Sequence, residues 1–174
     1  EIVISARKTL AAGEDLGLTT KEIATLKQSG ELEQVIGKGR DFFAGSPELQ
    51  ASYDLFNAAK TTLKPYVKKA MPEAEVRNLI QQNGVPTFQK PFGIPDNYLV
   101  RITEKGAGME YFDPIQPKTS IRVMPGTPHS PNPRQQVPYV VQIKRGKTVD
   151  KFGKEVSSDA LEAHIPLCEF VYKD

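Results

Sequence analysis

Two histidines and one arginine define the chemistry open to this sequence. His129 lies in Thr127-Pro128-His129-Ser130-Pro131 and His164 in Glu162-Ala163-His164-Ile165-Pro166. Imidazole changes charge near neutral pH, so each ring is a candidate general acid or base. Arg122 sits in Ser120-Ile121-Arg122-Val123-Met124, just before the proline-stiffened loop that carries His129. Breaking a ribose phosphodiester without a metal takes three parts. A base removes the 2'-hydroxyl proton, an acid protonates the leaving oxygen, and a cation stabilises the phosphorane charge. His129, His164 and Arg122 can fill these roles. They can equally be an ordinary loop histidine, a satisfied structural histidine and a surface arginine.

The surrounding charge fits a phosphate ligand. Residues 118 to 154 hold Lys118, Arg122, Arg134, Lys144, Arg145, Lys147, Lys151 and Lys154 against the single acid Asp150. Such a cluster binds phosphate backbones, and Tyr139 and Phe152 within it can stack on unpaired bases. The alternative is a solvated basic strand and hairpin. Other signals are weak. There is no His-Glu-x-x-His, paired cysteine motif or aspartate-rich calcium loop, so no protein-held metal or other cofactor is expected. Gly37-Lys38-Gly39 and Gly106-Ala107-Gly108 lack the rest of a phosphate-loop or dinucleotide fingerprint and read as turns. Cys168, among apolar neighbours on an expected strand, reads as a buried inert thiol. Glu14-Asp15 reads as solvated charge, and Glu110 is the strand carboxylate nearest the basic segment, a distant candidate.

These residues need elements to hold them. Ten of the fourteen prolines fall between residues 86 and 138, so the chain divides near residue 84. Before it the period is helical. Thr19 to Glu22 is a capping box opening a short helix through Ile23 and Leu26, with Gly30 as its stop. Ser46-Pro47-Glu48 starts the longest helix, followed by Leu49, Tyr53, Phe56, Leu63 and Val67, with a kink expected at Pro65. A third helix starts near Pro72, carries Val76, Leu79 and Ile80 on one face, and stops by Asn83-Gly84. After residue 86 short extended runs follow at Tyr98 to Thr103, Glu110 to Phe112, Ser120 to Met124, Tyr139 to Lys144 and Leu167 to Tyr172. The stretch from Pro125 to Pro138 has too many prolines for a ladder and reads as an ordered loop. The expected class is α+β, with a helical region over 1–84 and a small twisted antiparallel sheet domain over 85–174.

Composition bounds the class of protein. The chain has 174 residues, 39% hydrophobic and 25% charged, enough for one domain or two small ones packed together. Lys plus Arg is 23 and Asp plus Glu is 21, so any basic surface is local. One cysteine excludes an internal disulfide. No apolar run approaches a membrane span, and the first residues do not read as a signal peptide. The chain starts at Glu1 without a methionine and reads as a piece of a larger protein.

The strings SIRVMPG, HSPNPRQQVPYV, DKFGKEV and EAHIPLCEF carry a resemblance. Over roughly residues 98 to 172 the chain resembles the C-terminal toxin domains of bacterial contact-dependent inhibition and Rhs-type proteins. Many of these are similar to the barnase, EndoU, colicin and RelE group of metal-independent ribonucleases. The resemblance implies a tRNA-directed ribonuclease at the tail of a larger secreted, surface-displayed protein, delivered to the cytoplasm of a target bacterium. It also implies a cognate immunity protein and, for some members, a host factor such as the tRNA-carrying elongation factor. On this reading residues 1–84 serve translocation or act as a linker. His129 or His164 acts as base and acid, Arg122 and Lys144 bind the scissile phosphate, Thr127 and Tyr139 orient the nucleotide, and Lys118, Arg145 and Lys147 bind the backbone. The alternatives are a non-catalytic RNA- or protein-binding module in which the histidines are structural, and a toxin of different chemistry, a DNase or deaminase.

Overall fold

In a computed structural model the described residues are 24, 25, 28, 47–104, 107–128 and 135–173. The expected first helix falls almost wholly outside them, as do Gly37-Lys38-Gly39, His129 and Arg134; positions 24, 25 and 28 are helical and exposed.

Helix α1 spans Pro47–Leu63 and begins where the Ser-Pro-Glu signal places it, with Glu48 in its first turn. Pro65 ends the helix instead of kinking it. Its ring offers no donor for another turn, so the chain tightens into a 3-10 turn at Lys64–Tyr66 and leaves helical geometry at Val67 (ψ 136°). Val67 therefore sits on no helical face. It pairs with Ile102, Met71 pairs with Val100, and the Lys68 and Met71 amides donate to the Ile102 and Val100 carbonyls at 3.2 and 3.0 Å. This segment covers the edge of the first strand, where exposed ladder groups would otherwise invite another chain. Helix α2, Glu73–Gln82, follows Pro72 and ends at Asn83-Gly84 as expected, burying Val76 and Ile80.

Six antiparallel strands follow: β1 Leu99–Ile102, β2 Met109–Phe112, β3 Ser120–Met124, β4 Tyr139–Lys144, β5 Lys147–Val149 and β6 Ile165–Pro166. The sheet order is β1-β2-β3-β4-β5, and β6 pairs with β4 at Tyr139 and Val140, beyond the stretch that β5 occupies. This is the expected α+β arrangement. Three stretches differ from the expectation, and one of them, Ile165–Pro166, is a short strand on β4 where none was expected. Lys147–Val149 is a strand because Arg145 (φ 51°) and Gly146 (φ 83°) form a two-residue hairpin turn, whose left-handed pair favours glycine at the second place. Leu167 to Tyr172 is not a strand. The ladder ends at Pro166, Leu167–Glu169 is a 3-10 turn, and the apolar residues Leu167, Phe170 and Tyr172, spaced three and two apart, pack on the core without strand pairing. Cys168 lies in that turn and is exposed, which corrects its expected burial.

Strand alternation sorts the sheet into two faces. Val100, Ile102, Met109, Tyr111, Ile121, Val123 and Val140 form one core cluster with Ala59 and Leu63 of α1 and Val76 and Ile80 of α2. The core is thus continuous across the composition change at residue 84. Tyr111 fixes α2 to it. Its hydroxyl donates to Glu73 Oε1 at 3.0 Å, and Arg77 donates to the same oxygen at 2.7 Å and to the Phe88 carbonyl at 2.8 Å. Burial, reinforced by the Glu73 charge, pushes the Tyr111 hydroxyl above its ordinary pKa, so it stays protonated. The opposite face carries Arg101, Glu110, Ser120, Arg122 and Tyr139. Among the described residues no helix is long and apolar enough to cross a membrane.

Ile80 is fully buried between α2 and the sheet. Ile80→Ala should cost about 2–5 kcal/mol through lost burial and the cavity left behind, measured by urea denaturation. A loss under 0.5 kcal/mol would mean that α2 is not part of the core.

Candidate functional site

Three successive strands place one charged residue each at the same level of the outer face. Arg101 of β1 is opposite Glu110 of β2, and Glu110 is opposite Arg122 of β3. Glu110 is only 5% exposed, a position where an unpaired carboxylate would be strongly penalised. Both its oxygens are engaged. Oε1 accepts from Nε of Arg101, while Oε2 accepts from Nε of Arg122 at 2.7 Å and from the Ser120 hydroxyl at 3.3 Å. Burial alone would raise the Glu110 pKa. The hydrogen bonds and charges of Arg122 and Arg101 outweigh it, so the carboxyl titrates below its ordinary value of 4.5 and is ionised at neutral pH.

The arginines are held but not hidden. The Arg101 guanidinium carbon lies 4.1 Å from the centre of the Phe112 ring, a cation–π contact that adds to its pairing with Glu110. The Arg122 side chain remains 45% exposed while its Nε is bound. Two guanidiniums against one carboxylate leave the row net positive, and a guanidinium oriented through Nε can present its terminal N–H groups to an incoming oxyanion.

Tyr139 and His164 stand beside this row. Tyr139 faces Met124, so it is the diagonal neighbour of Arg122 on the same face, about 7–8 Å away by sheet geometry. The His164 ring meets Tyr139 edge-on, with centroids 5.3 Å apart and planes at 63°. His164 is 4% exposed, and its Nδ1 lies 3.3 Å from the Ala160 carbonyl. A carbonyl only accepts, so this contact fixes the proton on Nδ1. Thr127 follows β3 at the same end of the sheet, with its amide donating to the Gln135 carbonyl at 2.7 Å. Gly126 (φ +75°) makes that approach possible, because a Cβ there would lie 2.6 Å from the Val137 carbonyl. Pro128 and Gln135 are the described ends of the loop containing His129, whose own position lies outside the described residues.

Arg122, Tyr139 and His164 are therefore brought together, while the proposed backbone-binding cations are not. Lys118, Lys144, Arg145 and Lys147 gather at the opposite end. The Arg145 and Gly146 amides bond to Thr119 Oγ1 and the Lys118 carbonyl, each at 3.0 Å. Lys144 is three residues along β4 from Val141, the residue opposite Arg122, about 10 Å at strand rise. It also has the parity of Val140 and Gln142, so it points from the other face of the sheet than Arg122. Arg122 and Lys144 cannot hold one phosphate between them, which corrects that assignment; Arg101 is the second cation on the face of Arg122. The basic segment is also less unbalanced in space than in sequence. Lys147 pairs with Glu155 at 3.1 Å and Lys151 with Glu169 at 3.7 Å. Among the described residues no group of three or more His, Cys, Asp or Glu side chains clusters to hold a metal.

Sequence reasoning left Arg101 and Ser120 out of the site and gave Glu110 a minor place. A signal was present, since each of three consecutive apolar strands carries one charged residue at an outward position. The pairing register alone converts those charges into a row. No protein-family model, curated protein or solved structure matches this chain.

The carboxylate makes a pH prediction. Because the folded pKa of Glu110 is lowered, its pairing stabilises the fold above pH 4.5 and is lost as pH falls through the folded value. Glu110→Gln should be less stable than the parent by about 2–4 kcal/mol at neutral pH, below the cost for a fully buried pair because Arg122 is half exposed. The gap should narrow as pH drops below 4.5 in urea melts. A gap that does not change with pH would remove Glu110 as the ionised partner.

Proposed function

We propose that this chain is the tail of an antibacterial toxin acting as a metal-independent endoribonuclease, with tRNA as its substrate. The observation that carries this reading is the net-positive Arg101–Glu110–Arg122 row on the outer sheet face, with Arg122 partly exposed, beside an aromatic ring and an imidazole. Arg122 and Arg101 bind the scissile phosphate, and Glu110 positions both. Tyr139 packs on the nucleotide, and Thr127 borders the same end of the sheet. In the reaction the 2'-hydroxyl gives its proton to a base and forms a bond to phosphorus. The bond from phosphorus to the 5'-oxygen breaks, an acid protonates that oxygen, and a 2',3'-cyclic phosphate remains. His129 and His164 are the acid–base candidates. His164 is 4% exposed and meets substrate only if its surroundings move, so the exposed role is assigned to His129.

In this reading a cognate immunity protein protects the producing cell, and a host factor such as the tRNA-carrying elongation factor assists cleavage. The parent protein is displayed at the producer surface and the tail acts in the target cytoplasm. A second reading is favoured by the burial of His164: a binding module in which the arginine row grips RNA and the imidazole only supports Tyr139.

Incubation with total bacterial tRNA in EDTA, with and without cell extract, separates the two. Cleavage should give discrete fragments, and Arg122→Ala should slow it about 10²–10³-fold, the usual loss of one transition-state charge donor. His129→Ala should abolish it while leaving the thermal melt intact, and His164→Gln should abolish it while also lowering the melt, because that imidazole is buried and bonded to the Ala160 carbonyl. Fragments that appear only with extract would assign a host factor. Intact tRNA under every condition, with RNA binding that depends on Arg122, would replace the ribonuclease by the binding module.

A further inference from the structure

Phe152 is 72% exposed at the tip of the turn after β5, where burial gives no reason for an aromatic ring. The turn that carries it is tightly bonded. Asp150 Oδ1 accepts from the Phe152 and Lys154 amides, both at 2.9 Å, the Asp150 amide donates to the Lys154 carbonyl at 2.8 Å, and the Gly153 amide donates to the Asp150 carbonyl at 3.0 Å. Below the turn Val149 bridges to Glu155. The backbone is therefore held by the sheet while the ring points to solvent.

Two cations attend the ring. Lys151 Nζ lies 5.3 Å and Lys173 Nζ 6.0 Å from its centre. Lys151 also reaches Glu169 at 3.7 Å, and its side chain is 46% exposed. Contacts of this kind at an exposed site are weaker than stacking of a nucleobase on an aromatic ring. A base can therefore displace the ammonium groups from the ring, and the flexible lysines can turn to the phosphate attached to it.

We propose that Phe152, with Lys151 and Lys173, is a stacking subsite for one unpaired nucleotide of a single-stranded nucleic acid, separate from the Arg101–Glu110–Arg122 row. The subsite rests on the reading that the ligand is RNA, and it supplies affinity and register without touching the scissile bond. An acidic protein would satisfy the lysines but would gain little from a lone ring, since specific protein interfaces need a far wider contact area.

The chain contains no tryptophan, so Phe152→Trp creates a single fluorescent reporter at the site. Titration with an uncleavable 2'-deoxy oligonucleotide should quench this tryptophan saturably, and Lys151→Ala with Lys173→Ala should weaken binding several-fold. Phe152→Ala should weaken oligonucleotide binding about 5- to 100-fold. Phe92→Trp is the control. Phe92 is 96% exposed and, among the described residues, no cation lies over its ring, so a tryptophan there should not respond. No quenching at position 152, or equal quenching by polyglutamate, which has charge but no bases, would overturn the subsite. Because the oligonucleotide cannot be cut, quenching with no tRNA cleavage would keep the subsite and reject the ribonuclease. Cleavage without quenching would do the reverse.

Discussion

A carboxylate that is 5% exposed in the second strand of a sheet survives only if its charge is met at both oxygens. Glu110 achieves this with two guanidiniums from the strands on either side and a hydroxyl from Ser120. The requirement constrains the whole sheet. β1, β2 and β3 must pair so that Arg101, Glu110 and Arg122 fall at one level. A slip of one residue would turn Glu110 into the apolar core and Tyr111 out of it. The same register places Tyr111 against Glu73 of α2, so the ionic row on one face and the helix clamp on the other depend on a single alignment of strands.

That alignment also decides what the outer face can bind. The arginines are oriented by Glu110 and Phe112, so little side-chain freedom remains to be lost when an anion arrives. One carboxylate does not cancel two guanidiniums, and the residual positive charge lies next to Tyr139 and His164. The lysines of the β4–β5 hairpin have another setting. They are about 10 Å along the sheet from the level of Arg122, and Lys144 lies on the other face with Lys147 as its direct cross-strand neighbour. Their charge can attract a polyanion at distance, but it does not build the site around Arg122.

The helices α1 and α2, the strands β3 and β4 and the α+β class were legible because their signals are local. Ser46-Pro47-Glu48, Asn83-Gly84 and the β-branched run of Ser120 to Met124 each act within a few residues. What failed was decided by residues outside each run. Lys147 to Val149 reads as polar surface until the turn at Arg145-Gly146 folds it back onto β4. Leu167 to Tyr172 reads as a strand because Leu167, Phe170 and Tyr172 pack on the core, yet Pro166 ends the ladder before them. Cys168 was misplaced with that strand. In the site, Arg122, Tyr139 and His164 were legible as residue types with suitable chemistry. Arg101 and the central place of Glu110 were not, because their meaning comes from cross-strand register. The match of Arg122 with Lys144 failed because charge density in sequence carries no information about strand face.

The account depends on Glu110 presenting Arg101 and Arg122 together to a phosphate. The most direct measurement is side-chain nitrogen NMR of the arginine Nε–Hε groups during titration with a nucleoside 3'-monophosphate. The account predicts that the Arg101 and Arg122 signals are protected from solvent exchange in the free protein, shift together as ligand binds, and lose both protection and response in Glu110→Gln. Signals that stay in place at saturating ligand, or that shift equally without the carboxylate, would contradict it.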